Sequence, residues 1–132
     1  MEGKRIARNK KLSSADAHIK TLMEHNDRVW AVTTVGNRVA SASADGTIKI
    51  WNTQSWECEH TITGHKKSVF ALAATDDVLV SGSFDRTIKI WNTTTWECER
   101  TITDHSGPVW ALLIYGHCLI SGSTDFTMKV FQ

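Results

Sequence analysis

Apolar residues fall in short bursts separated by turn-forming clusters, and between residues 61 and 100 these bursts resolve into four strands. Val69 to Ala74 is a short, mostly apolar run, the mark of a strand covered on both faces, and Asp76-Asp77 supplies the turn after it. Val78 to Ser83 follows, then a tight turn at Phe84-Asp85-Arg86 and a third strand over Thr87 to Trp91. After the polar connection Asn92 to Thr95, a fourth strand runs through Cys98 to Thr103, its charges suited to an outer, wetter edge. β-Branched and aromatic residues dominate, as a pleated, buried surface favours. The segment predicts a four-stranded antiparallel meander.

The same pattern recurs with a period of 40 residues. His25, His65 and His105 share one phase, as do Asp45, Asp85 and Asp125, Ser43, Ser83 and Ser123, and Trp51 and Trp91. The tract Thr47-Ile48-Lys49-Ile50-Trp51-Asn52 returns as Thr87 to Asn92 and, weakened, as Thr127 to Gln132. A period of this length means stacked supersecondary units, none of which buries its apolar faces without a neighbour. Function is therefore to be sought on an assembled surface.

This pattern, with His, Ser, Asp and Trp at fixed offsets, resembles the WD40 repeat of β-propeller proteins over about residues 17–132. The resemblance implies an all-β fold of three four-stranded antiparallel blades, a partial propeller that needs a partner chain or further blades to close. It also implies that each His, Ser, Asp and Trp form a hydrogen-bonded chain bracing one blade. Carried over, the sets are His25, Ser43, Asp45 and Trp51; His65, Ser83, Asp85 and Trp91, with Ser81 the other candidate for the hydroxyl; and His105, Ser123 and Asp125, broken at Phe131. The chain departs from the family elsewhere. Gly-His is intact only at Gly64-His65, and Trp-Asp reads Trp51-Asn52, Trp91-Asn92 and Phe131-Gln132. Asn retains the acceptor oxygen, whereas Phe131 removes the indole N–H.

The Ser/His/Asp set invites a catalytic-triad reading, but a nucleophile needs one special site, and here the set is copied into every unit. No Gly-rich phosphate loop and no paired-carboxylate or His-cluster motif appears. The expectation is a non-enzymatic chain without catalytic residues, metal or cofactor. Cys58, Cys98 and Cys118 lack metal or redox spacing and are expected as buried or half-buried free thiols in a reducing compartment.

Rings of this kind close with typically four to eight blades, so three leave two apolar end faces open. Residues 15–132 form the repeat domain, with units at about 21–60, 61–100 and 101–132. By repeat phase, a strand over residues 17–23 belongs to a blade whose other strands are missing, while the last unit stops after three strands. The family zips its ring with such complementary ends. Two chains exchanging strands would make a six-bladed homodimer; three would make nine blades, outside the usual range. The alternative is a fragment of a larger WD40-containing protein, associated with an F-box, kinase or ligase, whose activity lies in missing sequence.

The family places the residue after the conserved Val of the innermost strand at the channel mouth, here Trp30, Phe70 and Trp110. In the family such rings grip a protein or peptide segment by sandwiching an arginine, through cation–π contact, or an apolar side chain; the other reading is that they fill space between blades. Turn residues beside the tetrad Asp, Phe84 and Arg86 among them, reach the same top rim; Arg86 either anchors an anionic group or is simply solvated. Trp56 and Trp96 are expected to pack over their own hairpins.

The balance of charge alters little. The net charge is +1 with 41% hydrophobic residues, and no run is apolar enough to span a bilayer. Residues 1–14 carry Lys4, Arg5, Arg8, Lys10 and Lys11 against Glu2, a basic tail read as a flexible solubilising arm or as a nuclear-import, nucleic-acid or membrane-surface contact. Apart from that tail, nucleic acid is not an expected partner. The expected compartment is the cytoplasm, with the tail as the route to a nuclear one.

Overall fold

The computed structural model describes residues 18–132; the basic tail and its assigned roles lie outside them. Among the described residues eleven strands follow one another: β1 (Val29–Val35), β2 (Arg38–Ser43), β3 (Ile48–Asn52), β4 (Cys58–Ile62), β5 (Val69–Ala74), β6 (Val78–Ser83), β7 (Ile88–Asn92), β8 (Cys98–Ile102), β9 (Val109–Tyr115), β10 (Cys118–Ser123) and β11 (Met128–Phe131). They build three antiparallel meanders, ordered β1-β2-β3-β4, β5-β6-β7-β8 and β9-β10-β11. No helix among the described residues is long and apolar enough to cross a membrane.

The sheets stack in chain order, β1 and β2 against β5, then β5 and β6 against β9. Alternation along each strand divides the core between the two interfaces: Leu79 and Trp91 join Ile48, Ile50 and Val69 on one side of the middle sheet, whereas Val80 and Ile88 join Ile102 and Val109 on the other. At the second interface the backbones come close. A Cβ on Gly82 would lie 2.7 Å from Val109 Cγ1, so glycine is what lets β6 approach β9.

The outer sheets present their remaining faces to water. Val29 is 51% exposed where its equivalents Val69 and Val109 are 0%, and Met128 is 71% exposed where Ile48 and Ile88 are 1%. Leu113, Val130 and Val32 are exposed on the same two faces.

Residues 18–23, expected as an outermost strand, carry no β-ladder. A strand exists by its partner, and among the described residues no strand lies beside this segment. It nevertheless keeps the place such a strand would hold. Trp96 of the middle sheet lies against His60 of the preceding β4, ring centroids 5.7 Å apart, and Trp56 lines a pocket with His18, Lys20 and Leu22, where Lys20 is the repeat equivalent of His60. The two tryptophans thus do not pack solely over their own hairpins; Trp96 reaches across to the preceding blade and joins the core there.

Candidate functional site

Two sets of side chains recur through the repeats. The first is the hydrogen-bonded chain inside each sheet. In the middle sheet Trp91 Nε1–H donates to Ser81 Oγ (2.8 Å), the Ser81 hydroxyl donates to His65 Nε2 (2.6 Å), and His65 Nδ1–H donates to Asp85 Oδ2 (2.8 Å). A carboxylate only accepts, which fixes the tautomer. The first sheet repeats this with Trp51 to Ser41 (2.8 Å), Ser41 to His25 (2.7 Å) and His25 to Asp45 (3.1 Å). In the third, Ser121 bonds His105 (2.6 Å) and His105 bonds Asp125 (2.8 Å), with Phe131 where the indole would be.

The serines are therefore Ser41, Ser81 and Ser121, not Ser43, Ser83 and Ser123. Both members of each pair point to one face of the strand, but the first lies one pleat deeper, within reach of the indole. Ser43, Ser83 and Ser123 serve the turn instead. Each accepts from the N–H of its aspartate (Asp45, 3.1 Å; Asp85, 3.0 Å; Asp125, 3.1 Å) and donates to a carbonyl before the innermost strand, that of Asp27, Ser68 or Gly107.

Burial by itself would raise the pKa of Asp45 and Asp85, yet both are held far below the usual carboxylate range. Thr47 and the N–H of Asn26 overcome it for Asp45, and His65 and Thr87 for Asp85. For Asp125 the Thr127 hydroxyl has the largest influence, ahead of burial, and the shift is again downward. The threonines Thr47, Thr87 and Thr127 were not singled out from the sequence, although their 40-residue period marks them as plainly as the histidines.

Geometrically, Asp–His–Ser here matches a hydrolase triad. Chemically it is closed: Ser41, Ser81 and Ser121 are buried, and no buried side-chain polar atom among the described residues lacks a partner. A substrate cannot reach such a hydroxyl. The Asn52 and Asn92 side chains keep the acceptor role expected of them. Asn52 Oδ1 takes the N–H of Gln54 (2.8 Å) and Ser55 (2.9 Å), and Asn92 Oδ1 those of Thr94 (2.7 Å) and Thr95 (2.9 Å).

The second set lies at the strand entrances. Each innermost strand begins with a β-bulge, between Val29 and Ala31, Val69 and Ala71, and Val109 and Ala111, so Trp30, Phe70 and Trp110 are the unpaired extra residues. A bulge re-aims its side chain, here off the sheet faces and towards one another. Phe70 stacks on Trp110 (centroids 3.8 Å, interplanar 13°) and meets the edges of Trp30 (5.5 Å) and Phe84 (6.0 Å). Trp30 and Trp110 remain 46% exposed, and Phe84 is exposed beside them. Lys67 Nζ, which sequence reasoning missed, sits 5.4 Å from the centre of the Phe84 ring. The Phe70–Trp110 stack leaves no gap for a guanidinium between those two rings; the open surfaces belong to Trp30, Phe84 and the outer face of Trp110.

Arg86 is exposed in the turn that carries Asp85, with φ of 75°, and Phe126 (70°) and Gly46 (86°) share its left-handed position. Of the cysteines, Cys58 and Cys118 are half-buried as expected, but Cys98, on the edge strand β8, is exposed.

The family model described as "WD domain, G-beta repeat" matches residues 16–52, 56–92 and 96–132. The chain belongs to the WD40 family. This WD40 chain is similar to the WD repeat-containing protein pop1 of Schizosaccharomyces pombe, 38% identical over 47 residues that cover 36% of this chain and 6% of the relative. It is also similar to the probable cytosolic iron-sulfur protein assembly protein 1 of Yarrowia lipolytica, 45% identical over 47 residues, 34% of this chain and 14% of the relative. The matches thus span only a small part of both relatives. Among solved structures, the WD40 β-propeller domain of Doa1 superposes with a TM-score of 0.77 at 27% identity, covering 83% of this chain and 38% of that one. The computationally designed Ika4 protein gives 0.75 at 34% identity, covering 81% and 67%. WD40 propellers are typically non-catalytic and generally bind protein partners.

Proposed function

We propose that this chain is a non-enzymatic scaffold that holds a protein segment on the rim where Trp30, Phe70, Trp110 and Phe84 gather, with Arg86 in the same turn as Phe84, and that it acts as a six-bladed homodimer. One observation carries the binding reading: bulges repeated in all three sheets turn aromatic side chains out of the core and leave them partly in water. An aromatic cluster with Lys67 beside Phe84, and with Arg86 exposed in the same turn as Phe84, suits a segment with apolar and acidic side chains. The saturated, buried tetrads support the absence of catalysis. Free thiols, one of them exposed, suit a reducing compartment such as the cytoplasm.

The test is selection of peptides from a random library on the purified chain, followed by binding to Phe84→Ala/Arg86→Ala and Trp110→Ala variants. Loss of at least tenfold in affinity at an unchanged melting temperature is expected. Unchanged affinity for every selected peptide would remove the rim from consideration.

A further inference from the structure

The cation that an aromatic rim would take from a partner is here supplied by the chain itself. Lys67 Nζ lies 5.4 Å from the centre of the Phe84 ring, and the Phe70–Trp110 stack, with 3.8 Å between centroids, closes the gap in which an arginine would be sandwiched. We infer that Lys67 is the specificity-determining residue of the rim: it turns away segments bearing arginine or lysine and, with Lys66 and Arg86, selects a segment whose carboxylate side chains flank an apolar one. The inference deepens the scaffold reading and rests on it, since it says which segments the rim accepts.

The three blades isolate these cations by comparison. Lys66, Lys67 and Arg86 stand in the middle blade where the first has Asn26, Asp27 and Gly46 and the third has Ser106, Gly107 and Phe126. All three corners fold alike: the N–H of Lys66 donates to Asp85 Oδ2 at 3.1 Å, as that of Asn26 does to Asp45 (3.0 Å) and that of Ser106 to Asp125 (3.1 Å). Only the backbone of Lys66 takes part, so its ammonium is left for an outside group. Arg86 holds a φ of 75°, a left-handed backbone that Gly46 adopts without strain, and its side chain is exposed, so internal packing does not account for it.

Charge decides what such a corner accepts. The ion pairs among the described residues are the three His–Asp contacts of the tetrads and Arg38 with Glu59; Lys66, Lys67 and Arg86 enter none of them. The corner's own carboxylate, Asp85, is occupied on both oxygens, Oδ1 accepting from the N–H of Thr87 (2.9 Å) and Oδ2 from His65 (2.8 Å). Three positive charges thus stand against one negative. A second cation brought to Phe84 would have to displace Lys67 and would meet like charge at close range. A carboxylate instead pairs with the Lys67 ammonium and lies towards the edge of the ring, where the quadrupole is positive, so the cation–π contact survives binding. The open surfaces of Trp30 and Trp110, each 46% exposed, give the neighbouring apolar side chain its place.

The experiment pans two peptide libraries of equal aromatic content on the full chain, one varied with Asp and Glu and the other with Lys and Arg, and measures the affinity of the peptides recovered. The acidic library should yield binders that weaken as salt rises and lose at least tenfold in affinity with Lys67→Glu. Lys67→Met, which keeps the stem over Phe84 without its charge, should lose most of that affinity at an unchanged melting temperature. Arg100→Glu makes the same change of charge on the outer strand β8 and should leave affinity within twofold. The basic library should yield rim binders, recognised by their loss with Trp110→Ala, only on the Lys67→Glu chain. Basic binders on the unaltered rim, a preference that Lys67→Glu does not move, or an equal loss with Arg100→Glu would each overturn the assignment of Lys67 while leaving the scaffold reading in place. Should neither library yield a peptide that Trp110→Ala releases, the scaffold reading falls and this inference falls with it.

Discussion

Ile88 and Met128 occupy the same place in successive repeats, yet one is sealed and the other stands in water. Each strand has one equivalent neighbour, β6 beside β7 and β10 beside β11, but β7 is also paired with β8, while β11 is the edge of its sheet. The next sheet differs as well: β9 and β10 cover the middle sheet, and nothing among the described residues covers the third. Burial in this molecule belongs to interfaces between repeats, and a repeat's own sequence does not decide it. The tetrads teach the complement. His65 and His105 keep the same bonds to serine and aspartate, because those run within a sheet, and losing the indole at Phe131 leaves the rest of the chain in place.

The largest contrast is expected from truncation at the paired positions. Ile88→Ala should destabilise by about 3 kcal/mol in urea unfolding, since it opens a cavity in a packed interface. Met128→Ala, measured at a dilution where chains are single, should stay within about 0.5 kcal/mol. If pairing between copies seals Met128, the second value rises with protein concentration while the first does not. Equal costs at all concentrations would break the comparison.

A smaller contrast lies in the serines. Ser81→Ala strands the Trp91 N–H and the His65 ring nitrogen together and should cost about 2 kcal/mol, whereas Ser121→Ala strands only the His105 nitrogen and should cost about 1 kcal/mol. Phe131→Trp sharpens this by supplying the absent donor, and in that background the cost of Ser121→Ala should rise towards that of Ser81→Ala.

Acid should separate the repeats least, because Asp45, Asp85 and Asp125 are all held below the ordinary value of 3.8. A depressed carboxylate contributes stability that is present above 3.8 and lost as pH falls below it, since the unfolded chain then takes up protons that the folded one refuses. Urea midpoints should therefore fall steadily below about pH 4. With Asp85→Asn the slope of that fall should be shallower, and an unchanged slope would show that the carboxylate is not the source.

Strand positions were legible because every repeat restates them in β-branched residues and turn clusters. The histidines, aspartates and tryptophans of the tetrads were legible for the same reason. Ser81 was not separable from Ser83, since residues two apart share a face and only the depth of the indole distinguishes them. Trp96 was assigned to its own hairpin because sequence spacing describes neighbours along a chain, while the contact it makes crosses to His60 of the preceding sheet. Residues 18–23 have the composition of an outer strand, but composition does not supply a hydrogen-bonding partner. The bulges were hidden too: they arise from how Val69 and Ala71 pair with Ser83 and Gly82, leaving Phe70 over.

The left-handed position after each tetrad aspartate bears on how such a molecule diverges. Glycine fills it at Gly46 without strain, whereas Arg86 and Phe126 hold the same backbone at a penalty of about 1 kcal/mol or more each. Phe126 is wholly in water and recovers none of that through internal packing. Beyond that backbone cost the exposed side chains there take little part in packing, so, on the proposed rim reading, this corner of the blade is where recognition can be rewritten residue by residue while the architecture beneath stays constant.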